Sequence, residues 1–133
     1  KLQSEFWADC VDDAKTKEII KQCYETNHYV LDTHTAVAYA AAMKFANQQI
    51  NNQKTVVLST ASPYKFVGSV YEALTGKQEA DEFSLMQKLA DLCGVAIPLN
   101  LAKLNELPIR HENHLAKEAI QFFVEKKLGE KQW

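Results

Sequence analysis

Residues 55–58 read Thr-Val-Val-Leu: four strand-forming side chains in a row, inside a chain whose other segments carry helical patterns. The run does not alternate apolar with polar, the pattern of a strand covered on both faces. A lone strand leaves its N–H and C=O groups without partners, and even a two-stranded hairpin is marginal in water. Thr55–Leu58 therefore requires one of two architectures. Either it is an extended linker in a helical domain, or the chain is part of a larger α/β fold whose remaining strands lie elsewhere.

The segments around it are helical. Residues 12–28 carry an incomplete apolar stripe of Ala14, Ile19, Ile20, Cys23 and Tyr24, with Asp12 or Asp13 to cap the first turn. Tyr29–Val30–Leu31 reads as an extended link. Residues 32–50 open on Asp32, a natural N-cap, and are rich in alanine, the best helix former. Small side chains on several faces predict a largely buried helix wedged between layers. Another helix is expected from Pro63 to about Thr75, with Ser62 at the N-cap, proline at the first helical position and Gly76 at the C-terminal stop. Residues 81–93 form an amphipathic helix between Asp81 and Gly94. Residues 95–110 read as irregular or partly 3₁₀, and 113–128 as the last helix, with Lys126 and Lys127 at its negative end.

Composition narrows the functional classes. The chain has 133 residues, 47% of them hydrophobic, enough for one domain with a real core. A net charge of −2 with interspersed signs argues against a nucleic-acid surface. No apolar run approaches the roughly 20 residues of a bilayer span, and KLQSEFWADC has no apolar h-region, so neither a membrane segment nor a signal peptide is expected. Three cysteines, Cys10, Cys23 and Cys93, form no CxxC and do not pair evenly; a reducing, cytoplasmic setting is expected. The four glycines are too scattered for a dinucleotide fingerprint, a P-loop or a nucleophile elbow.

The stretch TVVLSTASPYKF makes a corner. Ligands of open α/β sheets bind outside the carboxyl ends of strands. Thr60 follows the strand-like run by two residues and precedes a helix N-terminus, whose free N–H groups attract anions. Ser59, Thr60 and Ser62 add hydroxyls that donate and accept. The corner suits a small polar or anionic ligand. It suits equally a plain helix cap at Ser62 with Thr60 satisfying local backbone.

Two runs carry a family resemblance. The first is Leu31, Asp32, Thr33, His34, Thr35, Ala36, Val37; the second is Thr60, Ala61, Ser62, Pro63, Tyr64, Lys65, Phe66. Together they resemble threonine synthase, a pyridoxal-phosphate-dependent family of fold type II. GVAIPLNLAKLNELPIRH also looks like that family's C-terminal region, and the similarity runs from about Phe6 to the chain end. Thr33 stands where the family usually has proline, which is favourable but not required at a first helical position. Ala38 replaces a common glycine.

The resemblance implies an α/β class. Residues 1–133 would be one fragment, the predominantly helical C-terminal part of a three-layer catalytic domain, with about five helices around one or two short strands. The Schiff-base lysine and the loop for the cofactor phosphate would belong to the N-terminal half; Lys65 stands in a different motif. The whole protein would convert O-phosphohomoserine and water to L-threonine and phosphate. The position carried over is Thr60, whose hydroxyl would face the pyridine nitrogen of pyridoxal 5′-phosphate. A neutral hydroxyl there holds the ring nitrogen less firmly charged than a carboxylate would. No catalytic residue is expected in this chain. Its expected partners are the N-terminal half and the substrate, with self-association through bare apolar surface.

Other side chains offer chemistry of their own. Asp32 with His34 could make an acid/base pair, but Asp32 is a ready helix cap and His34 an anchor for a loop or a second helix. Lys65 could reach an anion or simply be solvated. His111 and His114 have a metal-ligand spacing without a third ligand. Cys93, at a helix C-terminus, is expected to be an inert core thiol. Phe122 and Phe123 read as packing residues. A different class of function stays open: an independent helical binding or regulatory module without catalytic activity, which should show no large bare apolar surface.

Overall fold

The computed structural model describes residues 5–48 and 54–129. Among them lie six α-helices: α1 (Asp13–Asn27), α2 (Thr33–Gln48), α3 (Val67–Thr75), α4 (Glu82–Cys93), α5 (Leu99–Ala102) and α6 (Ile120–Gly129). Short 3₁₀ helices occupy Pro63–Phe66, Leu104–Glu106 and Lys117–Ala119. The end of the Ala-rich helix at Ile50 and the turn at 51–53 lie outside the described residues.

Capping chemistry sets most boundaries. The Asp12 carboxylate accepts from the Lys15 N–H at 2.7 Å to start α1. Asp32 starts α2, accepting from the N–H groups of His34 at 2.9 Å and Thr35 at 3.2 Å. Asp81 starts α4 through the Phe83 N–H at 3.2 Å. α3 and α4 stop at Gly76 and Gly94, both in the left-handed region at φ 73° and 67°, where a glycine carries no Cβ penalty. α1 stops the same way without glycine, on His28 at φ 54°.

The core lies where α1 packs against α2 and α3, and α3 against α4. Ile19, Ile20 and Cys23 of α1 meet Val67, Val70 and Ala73 of α3 and Leu85, Met86 and Leu89 of α4 in one buried cluster. Polar links tie the layers at their margins. Lys17 pairs with Glu72 at 2.7 Å across α1 and α3. The Tyr24 hydroxyl donates to the Leu92 carbonyl at 3.0 Å, and buried Tyr64 donates to the Val95 carbonyl. Burial pushes the Cys93 thiol pKa up, as expected for an inert thiol.

Three expectations are corrected. Residues 54–60 run without helix or turn to a bend at Ala61, and there is no strand among the described residues. Instead of being covered on both faces, Val56 is 83% and Leu58 75% exposed, while Val57 is half-buried. A strand is defined by its neighbour, and no described segment lies alongside as one. α2 is not buried between layers: only Thr35 and Ala36 are buried, because α1 covers one side and the other side is largely open. The last helix begins at Ile120, after extended Ala116 and a 3₁₀ turn, and Phe122 is exposed. Residues 109–116 are all exposed; without a face to bury, a short segment does not hold helical structure. No helix among the described residues is long and apolar enough to cross a membrane.

Candidate functional site

The corner at Thr60 is built from both sequence runs that carry the resemblance. From the second run, Ser62 caps the 3₁₀ helix, its Oγ accepting from the Tyr64 N–H at 3.3 Å. Its carbonyl accepts from the Lys65 N–H at 3.1 Å. The expected single helix from Pro63 is divided: Phe66 leaves the helical region at φ −127°, ψ 38°, and α3 starts only at Val67. A four-residue 3₁₀ turn whose first amides are already bonded is a weak anion site.

From the first run comes the N-terminus of α2. Asp32 is 1% exposed, yet every acceptor position it needs is filled. Besides the two backbone N–H groups of the cap, its second oxygen accepts from the Thr35 hydroxyl. Thr35 Oγ1 lies 3.4 Å from Ser59 Oγ. Thr35 has one proton and a carboxylate can only accept, so that proton goes to Asp32 and Ser59 turns its own toward Thr35. Ser59 stands just ahead of the second run, and one contact joins the two runs themselves: the His34 ring lies 4.8 Å from the Phe66 ring, tilted by 48°. His34 Nδ1 is 3.7 Å from the Asp32 carboxylate and 3.4 Å from Thr33 Oγ1.

Val57 and Ser59 line an open cleft of about 370 Å³ with Leu31, Thr35 and Tyr39. Thr55, Val56, Leu58, Ser59 and Thr60 are all exposed, and only Val57 is half-buried. Among the described residues, the Thr60 hydroxyl has no hydrogen-bond partner. The corner thus joins a tethered hydroxyl at Ser59 to an exposed, unbonded one at Thr60.

The remaining candidates divide around it. Ser62 is the helix cap. Lys65 is exposed, its Nζ 6.0 Å from the Phe66 ring centroid. His34 is exposed, with its ring tilted against the Phe66 ring rather than bonded to loop backbone. His111 and His114 are exposed and precede α6 rather than entering it; among the described residues no three His, Cys, Asp or Glu side chains gather as a metal site. The tether through Ser59 was not legible beforehand. Its only sequence signal is a hydroxyl residue at 35 and another at 59, and nothing local couples them.

Comparison with known proteins gives a consistent result. Residues 35–121 match the protein-family model described as threonine synthase, C-terminal. Threonine synthase of Saccharomyces cerevisiae is 38% identical over 77 residues, covering 54% of this chain and 15% of the yeast protein. Threonine synthase-like 1 of Mus musculus is 32% identical over 112 residues, 84% of this chain and 13% of the mouse protein. Threonine synthase of Eremothecium gossypii is 29% identical over 134 aligned residues, 96% of this chain and 24% of that protein. The chain spans a small part of the length of each of these relatives.

Proposed function

The chain belongs to the threonine synthase C-terminal family, and on that premise we propose that it is the C-terminal part of a pyridoxal-phosphate-dependent lyase of fold type II. The whole protein would form L-threonine and phosphate from O-phosphohomoserine and water. The observation that carries this reading is the meeting of the two sequence runs through His34 and Phe66, with Thr35 of the first run bonded to Ser59 just ahead of the second and Thr60 left exposed beside it.

The residues present fit one end of the cofactor. An exposed, unbonded hydroxyl at Thr60 suits a pyridine nitrogen, because it either donates or accepts. The cofactor phosphate needs a cluster of free N–H groups, and those after Ser62 are occupied at Tyr64 and Lys65. That end, and the covalent anchor, belong to the N-terminal half of the protein. When bound, pyridoxal phosphate supplies an electron sink for proton removal and phosphate loss. Thr60 sets the strength of that sink: a neutral hydroxyl leaves the ring nitrogen less firmly protonated than a carboxylate would.

The bare apolar surface supports the same reading. Val56, Leu58, Leu99 and Ile109 are exposed, Leu99 by 91%. An independent helical module would bury such side chains; a segment awaiting the rest of its domain would not. The three cysteines are free thiols, which suits work in the reducing cytoplasm.

The test is threonine and phosphate release by the full-length protein, loaded with cofactor and given O-phosphohomoserine. Thr60→Val should lower kcat roughly tenfold or more, the effect of removing one hydrogen bond in a water-excluded site. Absence of threonine from the wild-type protein, or an unchanged rate in Thr60→Val, would contradict the proposal.

A further inference from the structure

Thr60 is exposed and among the described residues has no hydrogen-bond partner of its own, yet a hydroxyl that tunes a ring nitrogen must be held in place. The position next to it carries the only side-chain hydrogen bond the described residues show between the extended segment and the helical body: Ser59 Oγ, 3.4 Å from Thr35 Oγ1. Thr35 is buried and spends its proton on buried Asp32, whose other oxygen is committed to the α2 cap. The chain of hydrogen bonds therefore has one direction. It starts at a buried carboxyl group, passes through a buried hydroxyl, and ends at Ser59. It holds the residue immediately before Thr60.

We propose that Asp32, Thr35 and Ser59 are positioning residues for Thr60. The buried carboxylate fixes Thr35, Thr35 fixes Ser59, and Ser59 fixes the direction in which the neighbouring hydroxyl is presented. The tether itself is independent of any cofactor; its purpose rests on the reading of Thr60 given above. It accounts for the second filled oxygen of an almost wholly buried carboxyl group, since the cap alone needs only one.

Two variants test it in the full-length protein. Thr35→Val keeps the shape and removes the hydroxyl. Ser59→Ala acts at the exposed end, where folding is not at stake. Backbone hydrogen exchange of peptides spanning 54–62 should quicken roughly three- to tenfold in both, the scale of one lost hydrogen bond. Exchange within α3 and α4 should not change, and Thr35→Ser should restore the slow rate. In the cofactor-loaded protein, both variants should also alter the pH dependence of the bound cofactor's absorption, as Thr60→Val should. Unchanged exchange at 54–62 in both variants overturns the tether. Faster exchange with an unaltered spectrum in the Thr35 and Ser59 variants, while Thr60→Val does alter it, overturns the positioning role. If Thr60→Val also leaves the spectrum unaltered, the reading of Thr60 fails and takes the positioning role with it, while the tether stands.

Discussion

Asp32 shows how one side chain can determine both an element and a site. A buried carboxylate is costly unless its acceptors are filled. Here the filling groups are two α2 amides and the Thr35 hydroxyl. Asp32→Ala should cost about 2 kcal/mol, from loss of the cap and a stranded hydroxyl, read as a lower urea midpoint; Asp32→Asn should cost less. Glu72 behaves differently, at the surface. The hydrogen bond from Lys17, then that from Gln78, holds its carboxyl below the ordinary glutamate value despite some desolvation. A carboxyl with a lowered folded pKa stabilises the fold above its unfolded pKa of about 4.3, and that contribution fades as pH falls through the folded value. The stability gap between wild type and Glu72→Gln should therefore be present at neutral pH and close in acid, in parallel urea titrations.

At the scale of elements, what was legible in the sequence was local. Asp12, Asp32, Ser62 and Asp81 cap where their side chains can reach the next amides, and Gly76 and Gly94 stop helices where a positive φ is needed. These features depend on neighbours within four residues. The contacts that shape the site do not: Thr35 and Ser59 are 24 positions apart, and no periodicity encodes their meeting. The failures have the same cause. α2 was expected to be buried and the extended segment covered, because both patterns describe surfaces that other segments must fill. His28 is an element-level oddity, a left-handed residue with a side chain at the end of α1. His28→Gly should raise stability by about 0.5–1 kcal/mol, since glycine removes the Cβ strain but adds unfolded-state entropy. Leu89→Ala, at a 1% exposed position in α4, should cost about 2–5 kcal/mol by leaving a cavity.

At the scale of the whole molecule, the structure divides into a packed part and a bare part. α1, α3, α4 and the start of α2 share one core. The extended segment and most of the chain after Leu101 present Val56, Leu58, Leu107, Ile109 and Phe122 to solvent. We expect the chain by itself to bind an apolar dye strongly and to self-associate with rising concentration, and both effects to vanish when the remainder of the protein is joined to it. A monomeric chain without dye binding would favour the independent module instead. The proposed contact between the Thr60 hydroxyl and the ring nitrogen is read most directly by the ¹⁵N chemical shift of that nitrogen, in full-length protein loaded with labelled cofactor. The wild-type shift should lie on the neutral side, and Thr60→Asp should move it toward the protonated value. Identical shifts in the two proteins would contradict the account.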